Sequence, residues 1–180
     1  MSARDRILGA LPSESPRLAG RNWGRLPQSP ASWAEFRARF EELGGRVVNW
    51  EDLADWVDGP VLVDGDVLPL LPEGGLPHRT DDPWQAKLGV TLCDAAVAST
   101  GSLLLKAGPG RRRLASLTPN SHLALIPPLA LCGSLAEALE RSQGRTSVLI
   151  SGPSRTADIE GILIHGVHGP REVLALLLES

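Results

Sequence analysis

The sequence predicts an α/β domain with a mostly parallel, Rossmann-like sheet. Short apolar runs of strand length alternate with segments of helical spacing, the order that builds such a sheet. Several runs, among them 122–126 and 147–151, are apolar nearly throughout, as strands covered on both faces are. The chain has 180 residues, 42% of them hydrophobic, enough for one domain with a real core.

Residues 2–11 suit a short helix. Pro12, Pro16, Pro27 and Pro30 make 12–30 an arm rather than a packed element. The chain therefore divides into an N-terminal helix and Pro-rich arm, 1–31, and one α/β domain, 32–180. Ser32-Trp33-Ala34-Glu35 is a capping box, in which the serine hydroxyl accepts the Glu35 N–H. The helix it opens runs to about Leu43, and Gly44-Gly45 end it. A strand over 46–50, a short helix over 51–57 and a strand over 61–63 follow. Residues 64–83 are rich in Gly, Pro and Asp and read as loop. Residues 90–98 and 102–105 read as two strands joined through Ser99-Thr100-Gly101. The run 122–126 stops at Pro127-Pro128. A helix over 134–142 is capped by Ser134, and a strand over 147–151 ends at Gly152-Pro153. The last two strands are 161–165 and 172–178, the second of which also fits a helix.

Composition excludes several classes. Eighteen basic and 21 acidic residues leave a net charge of −3, the wrong balance for a nucleic-acid binder. No apolar run reaches the roughly 18 residues of a membrane span. No signal peptide is visible, so a cytoplasmic protein is expected. Cys93 and Cys132 lie far apart in no C-x-x-C pattern, against both a disulfide framework and a self-contained zinc or iron–sulfur site.

Charge is unevenly placed. Residues 41–82 hold 11 acidic and two basic groups, whereas 83–136 hold five basic groups and only Asp94. Lys106, Arg111, Arg112 and Arg113 all fall between Asp94 and Glu137. This stretch reads either as a cationic field for an anionic ligand or as a solvated turn around Gly108-Pro109-Gly110.

Ligands in parallel sheets bind beyond the carboxyl ends of the strands, which directs attention to the loops after Ala98, Ile126, Ile150 and Ile164. The loop 151–160 is the most unusual. Gly152 permits a close turn, Ser154 and Thr156 can donate to an anion, and Arg155 presents a planar cation for a carboxylate or phosphate. Asp158 and Glu160 share a face if the segment is extended. The same residues also fit a capped turn closed by an Arg–Asp ion pair. Nearby, Gly166-Val167-His168-Gly169-Pro170-Arg171 leaves the His168 imidazole uncrowded and available for acid–base work. His78, His122, His165 and His168 show no metal-ligand pairing, so no metal is expected. There is no G-x-S-x-G, P-loop or dinucleotide fingerprint, so no cofactor is expected either.

The two loops together, Gly152-Pro153-Ser154-Arg155-Thr156-Ala157-Asp158-Ile159-Glu160 and Gly166-Val167-His168-Gly169-Pro170, resemble the signature of the lactate-utilisation protein C family, the LUD domain. Asp94 to Ala98, Thr100-Gly101-Ser102 and the segment from Arg113 through Pro119 to His122 are also similar, and the resemblance covers about residues 84–180. It implies a three-layer α/β/α fold like that of the sugar-phosphate isomerase and CoA-transferase superfamily. It implies a role in oxidising L-lactate to pyruvate beside two partner subunits that carry iron–sulfur clusters. The family commonly has an acidic residue just before the Thr-Gly pair, where this chain has Ser99.

Nothing in the sequence holds a flavin or a cluster, so an accessory or substrate-handling subunit is expected. A stand-alone isomerase or acyl/CoA-transferase-like enzyme is the alternative, and an interaction module docking through 41–82 is a third. In the enzyme reading Asp158, Glu160 and His168 are the acid–base groups. Thr100, Gly101, Gly152, Ser154, Arg155, Thr156, Gly169 and Arg171 are the expected ligand-binding residues. The loops 99–101, 151–160 and 166–171 are expected to meet in one pocket at the carboxyl edge of the sheet.

Overall fold

The structure, a computed structural model, describes residues 30–72, 76–142, 145–157 and 163–179. The expected helix and arm before Ser32 lie almost wholly outside them.

Among the described residues eleven strands form two sheets and a hairpin. The larger sheet is wholly parallel, in the order β1 (Arg46–Val47), β11 (Glu172–Leu177), β6 (Ser121–Ile126), β3 (Leu88–Leu92) and β2 (Val61–Val63). The smaller sheet is mixed, in the order β7 (Leu131–Cys132), β4 (Ala95–Val97), β5 (Ser102–Lys106) and β8 (Ser147–Ile150). β9 (Arg155–Ala157) and β10 (Leu163–His165) pair antiparallel. The α/β class with a mostly parallel sheet stands. The segment 172–178, readable as strand or helix, is a strand over Glu172–Leu177, paired on both sides with β1 and β6.

The period-two alternation of the central strands decides which layer each residue joins. Val173 and Ala175 of β11 and Ala124 and Ile126 of β6 face one core, with Phe36, Phe40, Ala96, Leu103 and Leu105. Leu174, Leu176, Leu123 and Leu125 face the other, with Leu53, Val61, Val67 and Val90. The first core is roofed by the smaller sheet and by helix α1 (Trp33–Glu42). The second is covered by two 3-10 turns, Glu51–Trp56 and Gly65–Leu70, so the supposed loop 64–83 contains a packing element.

Helix α1 begins as its capping box requires, with Ser32 Oγ accepting the Glu35 N–H at 3.3 Å. Phe36 and Phe40, four apart, are fully buried with ring centroids 5.3 Å apart. Gly44, at φ +90°, then turns the chain into β1. Helix α2 (Leu135–Arg141) is shorter and covers the smaller sheet through Ala138. Among the described residues no helix is long and apolar enough to cross a membrane.

One expected strand, 90–98, is two. The Cys93 N–H donates to Leu125 O of the larger sheet at 2.8 Å, and the Asp94 N–H donates to Leu104 O of the smaller one at 2.9 Å. The chain changes sheets between these residues. Both halves are apolar, so the sequence pattern runs through the joint without a break.

Candidate functional site

The change of sheet decides where the loops go. β4 leaves the carboxyl end of β3 and runs back, so that Gly101 packs on the backbone of Arg39 and Phe40, near the end of α1. Gly152, at φ +91°, packs on the Leu43 carbonyl, where a Cβ would lie 2.6 Å from the oxygen. The loops 99–101 and 151–152 thus follow the carboxyl ends of β4 and β8 in the smaller sheet. They lie at the amino edge of the larger one. The loop 166–171 is there too, since it leads into β11 and the Arg171 N–H donates to the carbonyl of Asn120, just before β6, at 2.8 Å. The expected position at the carboxyl edge is therefore wrong for the five-stranded sheet. The reversal at Cys93-Asp94 is a tertiary event that strand order along the chain does not reveal.

At this edge the signature loops join. The Ser154 N–H donates to Pro170 O and the Gly166 N–H donates to Ser154 O, both at 2.9 Å. Gly169 packs on the Ser154 side chain, where a Cβ would be 3.3 Å from Ser154 Cβ. Gly166, at φ +75°, packs on the aliphatic part of Arg171. Thr100 Oγ1 donates to Ser102 Oγ at 2.9 Å, and Ser102 Oγ lies 2.7 Å from Ser151 Oγ. Ser102 and Ser151 were not among the expected site residues, and only the pairing of β5 with β8 makes them neighbours. Arg155 Nη2 donates to Leu43 O at 2.7 Å, so this guanidinium holds the end of α1. That contact differs from both readings of Arg155 made from the sequence. Thr156 lies in β9 opposite Ile164. His168 is exposed at the tip of its loop. Asp158 and Glu160 lie outside the described residues.

Arg171 also lines a cleft of about 390 Å³ with Lys87, Asn120, Ser121, Asp58 and Glu172. Two cations there face two carboxylates, and Glu172 Oε2 accepts from Ser121 Oγ at 2.9 Å.

The basic stretch 106–113 lies at the opposite edge; its turn at Pro109-Gly110 is exposed, and Lys106, Arg111 and Arg112 are paired with carboxylates while Arg113 is exposed. Arg111 Nη1 donates to both oxygens of Asp94, at 2.7 and 2.6 Å, and Arg111 Nε donates to Asp66 at 2.5 Å. Lys106 Nζ is 3.4 Å from Asp94. The Arg112 N–H donates to Asp64 Oδ1 at 2.9 Å and its Nη2 donates to Val63 O at 3.0 Å. Part of the acidic block 41–82 thus neutralises the basic block. Burial pushes the Asp64 carboxyl above its usual value, against the opposing pull of Arg112.

Two buried polar groups inside apolar runs meet across strands, a pairing the sequence does not show. Thr91 Oγ1 and His122 Nε2 are 2.9 Å apart on adjacent strands β3 and β6. His122 is fully buried, and burial pushes its imidazole down to about 4. A polar residue inside an apolar strand is the signal that would have found them. Burial also pushes the Cys93 thiol far up and the Cys132 thiol up, which argues against either as a nucleophile. Among the described residues no three His, Cys, Asp or Glu side chains are grouped to hold a metal ion.

Residues 79–178 match the family model of the LUD domain. The chain is 39% identical over 105 residues to a "Lactate utilization protein C" of Exiguobacterium, an alignment covering 53% of this chain and 46% of that protein. It is 31% identical over 213 positions to a protein of the same name from Geobacillus, covering 98% of this chain and 79% of that one. The first of these alignments spans about half the length of the relative it matches. A solved DUF162 family protein from Deinococcus radiodurans shares the fold, with a TM-score of 0.59 at 20% identity, over 83% of this chain and 100% of that one.

Proposed function

This chain belongs to the LUD domain family, and from that premise we propose that it is an accessory or substrate-handling subunit of a lactate-utilisation system. Its ligand is a small anion of the lactate or pyruvate kind. Its partners are the iron–sulfur subunits that perform the electron transfer. The relatives' name supports the system, and the Geobacillus alignment supports it along 98% of the chain.

One observation carries the ligand reading: Ser154 ties the two signature loops together through Pro170 and Gly166. That junction supports a reading in which Arg155 and Arg171, both in the joined loops, serve the ligand. Arginine suits a carboxylate because its planar fork makes two parallel hydrogen bonds.

Calorimetric titration of the full chain with L-lactate, pyruvate and small sugar phosphates tests this reading. Saturable binding of lactate or pyruvate is expected. Arg155→Lys keeps the charge but loses the fork, so it should weaken binding by about 1–3 kcal/mol with little change in melting temperature. Normal binding with a melting point several degrees lower would reduce Arg155 to its contact with Leu43. Turnover of a sugar phosphate or acyl-CoA by the chain alone would favour the stand-alone enzyme instead.

A further inference from the structure

At the carboxyl ends of β2 and β3, opposite the signature loops, the chain closes a cavity over Thr91. Its polar wall is Asp64, Thr91, Lys106, Ser116 and the three arginines 111–113, and its apolar wall includes Leu105. The room for a water-sized group is about 20 Å³. That takes one small polar head and leaves the rest of a ligand at the mouth.

The Thr91–His122 pair gives this cavity a polarity. His122 is neutral near pH 7, so its ring carries one N–H and one bare nitrogen. Nδ1 has no partner among the described residues. An unpaired buried acceptor is tolerated better than an unpaired buried N–H. The bare nitrogen is then Nδ1, and Nε2–H donates to Thr91 Oγ1. The Thr91 hydroxyl hydrogen is left over, and among the described residues the hydroxyl has no other partner. Because Thr91 lines the cavity, it offers a donor there. A base held near 4 with nothing orienting Nδ1 is poorly suited to activate Thr91 as a nucleophile. The pair therefore serves binding.

Charge points the same way. Lys106, Arg111, Arg112 and Arg113 gather here against Asp64, Asp66 and Asp94. The other nearby carboxylate, Asp81, is fully solvated and 3.5 Å from Arg112, so it contributes little. Four cations against three carboxylates leave one positive charge. Arg113, exposed at the mouth, is in no ion pair among the described residues, unlike Lys106, Arg111 and Arg112. We propose that this cavity is a second ligand site that takes a small monocarboxylate head first, between the Thr91 hydroxyl and Arg113. It stands apart from the lactate reading, which concerns the other edge of the sheet.

The test is a titration of the full chain with sodium acetate at constant ionic strength, set by chloride, and followed by amide NMR. Saturable shifts at residues 91–92 and 111–116 are expected. Thr91→Val and Arg113→Gln should each weaken acetate binding at least tenfold, while Arg171→Gln should leave it unchanged. Thr91→Val also strips His122 of its partner, so if that variant does not fold, Arg113→Gln alone decides. The proposal is overturned by shifts that never saturate, by shifts confined to 151–171, or by normal acetate binding in Arg113→Gln. Sulfate binding as tightly as acetate at the same residues also overturns it, because that would report charge alone. Loss of lactate binding at the signature loops with acetate still bound here would sink the proposed function and leave this site standing.

Discussion

His122 shows how one buried residue sets a pH dependence. Its imidazole is held at about 4 against an ordinary 6.5, because no water reaches the charged form. Above 6.5 both folded and unfolded chains carry it neutral, and its burial is tolerated. Between 6.5 and 4 the unfolded chain takes up the proton and the folded one does not, so stability falls with pH by up to about 3 kcal/mol. Asp64 acts in the opposite direction, since a carboxyl pushed above 3.8 by burial regains stability as it protonates, but only at the acid end of this window. Urea denaturation from pH 7.5 to 4.5 should show the loss, and His122→Gln should flatten it. An unchanged slope in that variant would remove His122 from the account. Gly152 makes a different demand. At φ +91° with the Leu43 carbonyl 2.6 Å from a Cβ position, it admits no side chain. Gly152→Ala should cost about 2 kcal/mol from backbone strain alone, read as a lowered denaturation midpoint.

Among the elements, α1 is the one whose formation depends most on local sequence. Its cap, its paired phenylalanines and its terminal glycines all lie within 14 residues, 32–45. Ser32→Ala should cost about 1 kcal/mol, the worth of one satisfied N-terminal N–H. Ser32→Asp should restore it, which a purely packing role for the serine would not allow. The helix also positions the signature loops, because Gly101, Gly152 and Arg155 all rest on its last turn and on Leu43. Loss of the cap should therefore weaken ligand binding at those loops together with stability.

Across the whole molecule, charge segregation along the chain becomes pairing in space. The acidic block contributes Asp64 and Asp66, the basic block Lys106, Arg111 and Arg112, and Asp94 joins them. The Asp94 side chain is 9% exposed and that of Arg111 16%, so this network is shielded from salt. Asp94→Asn leaves Arg111 poorly compensated and should cost roughly 3 kcal/mol. Asp81→Asn, on a fully exposed carboxylate, should change nothing measurable. Equal effects from the two would mean that the network is no more than surface charge.

Local chemistry was legible from residues alone wherever the interaction spans few positions. The α1 cap lies three residues from its partner, the apolar runs mark both faces of β6 and β11 as buried, and the signature loops carry the family. The sequence by itself therefore determined the α/β class and the identity of the loops. It did not determine their edge. Val90 to Ala98 is apolar on both sides of the joint at Cys93-Asp94, and hydrophobicity is non-directional, so a pattern of burial cannot say which sheet buries a strand. The partners that decide it, Leu125 O for Cys93 and Leu104 O for Asp94, come from strands 32 and 10 residues away in sequence. For the same reason Thr91 meets His122, Ser102 meets Ser151 and Arg111 meets Asp66 only through strand register and sheet packing. Polar contacts fall off within a few ångströms, and only the folded chain brings residues so far apart in sequence to that distance.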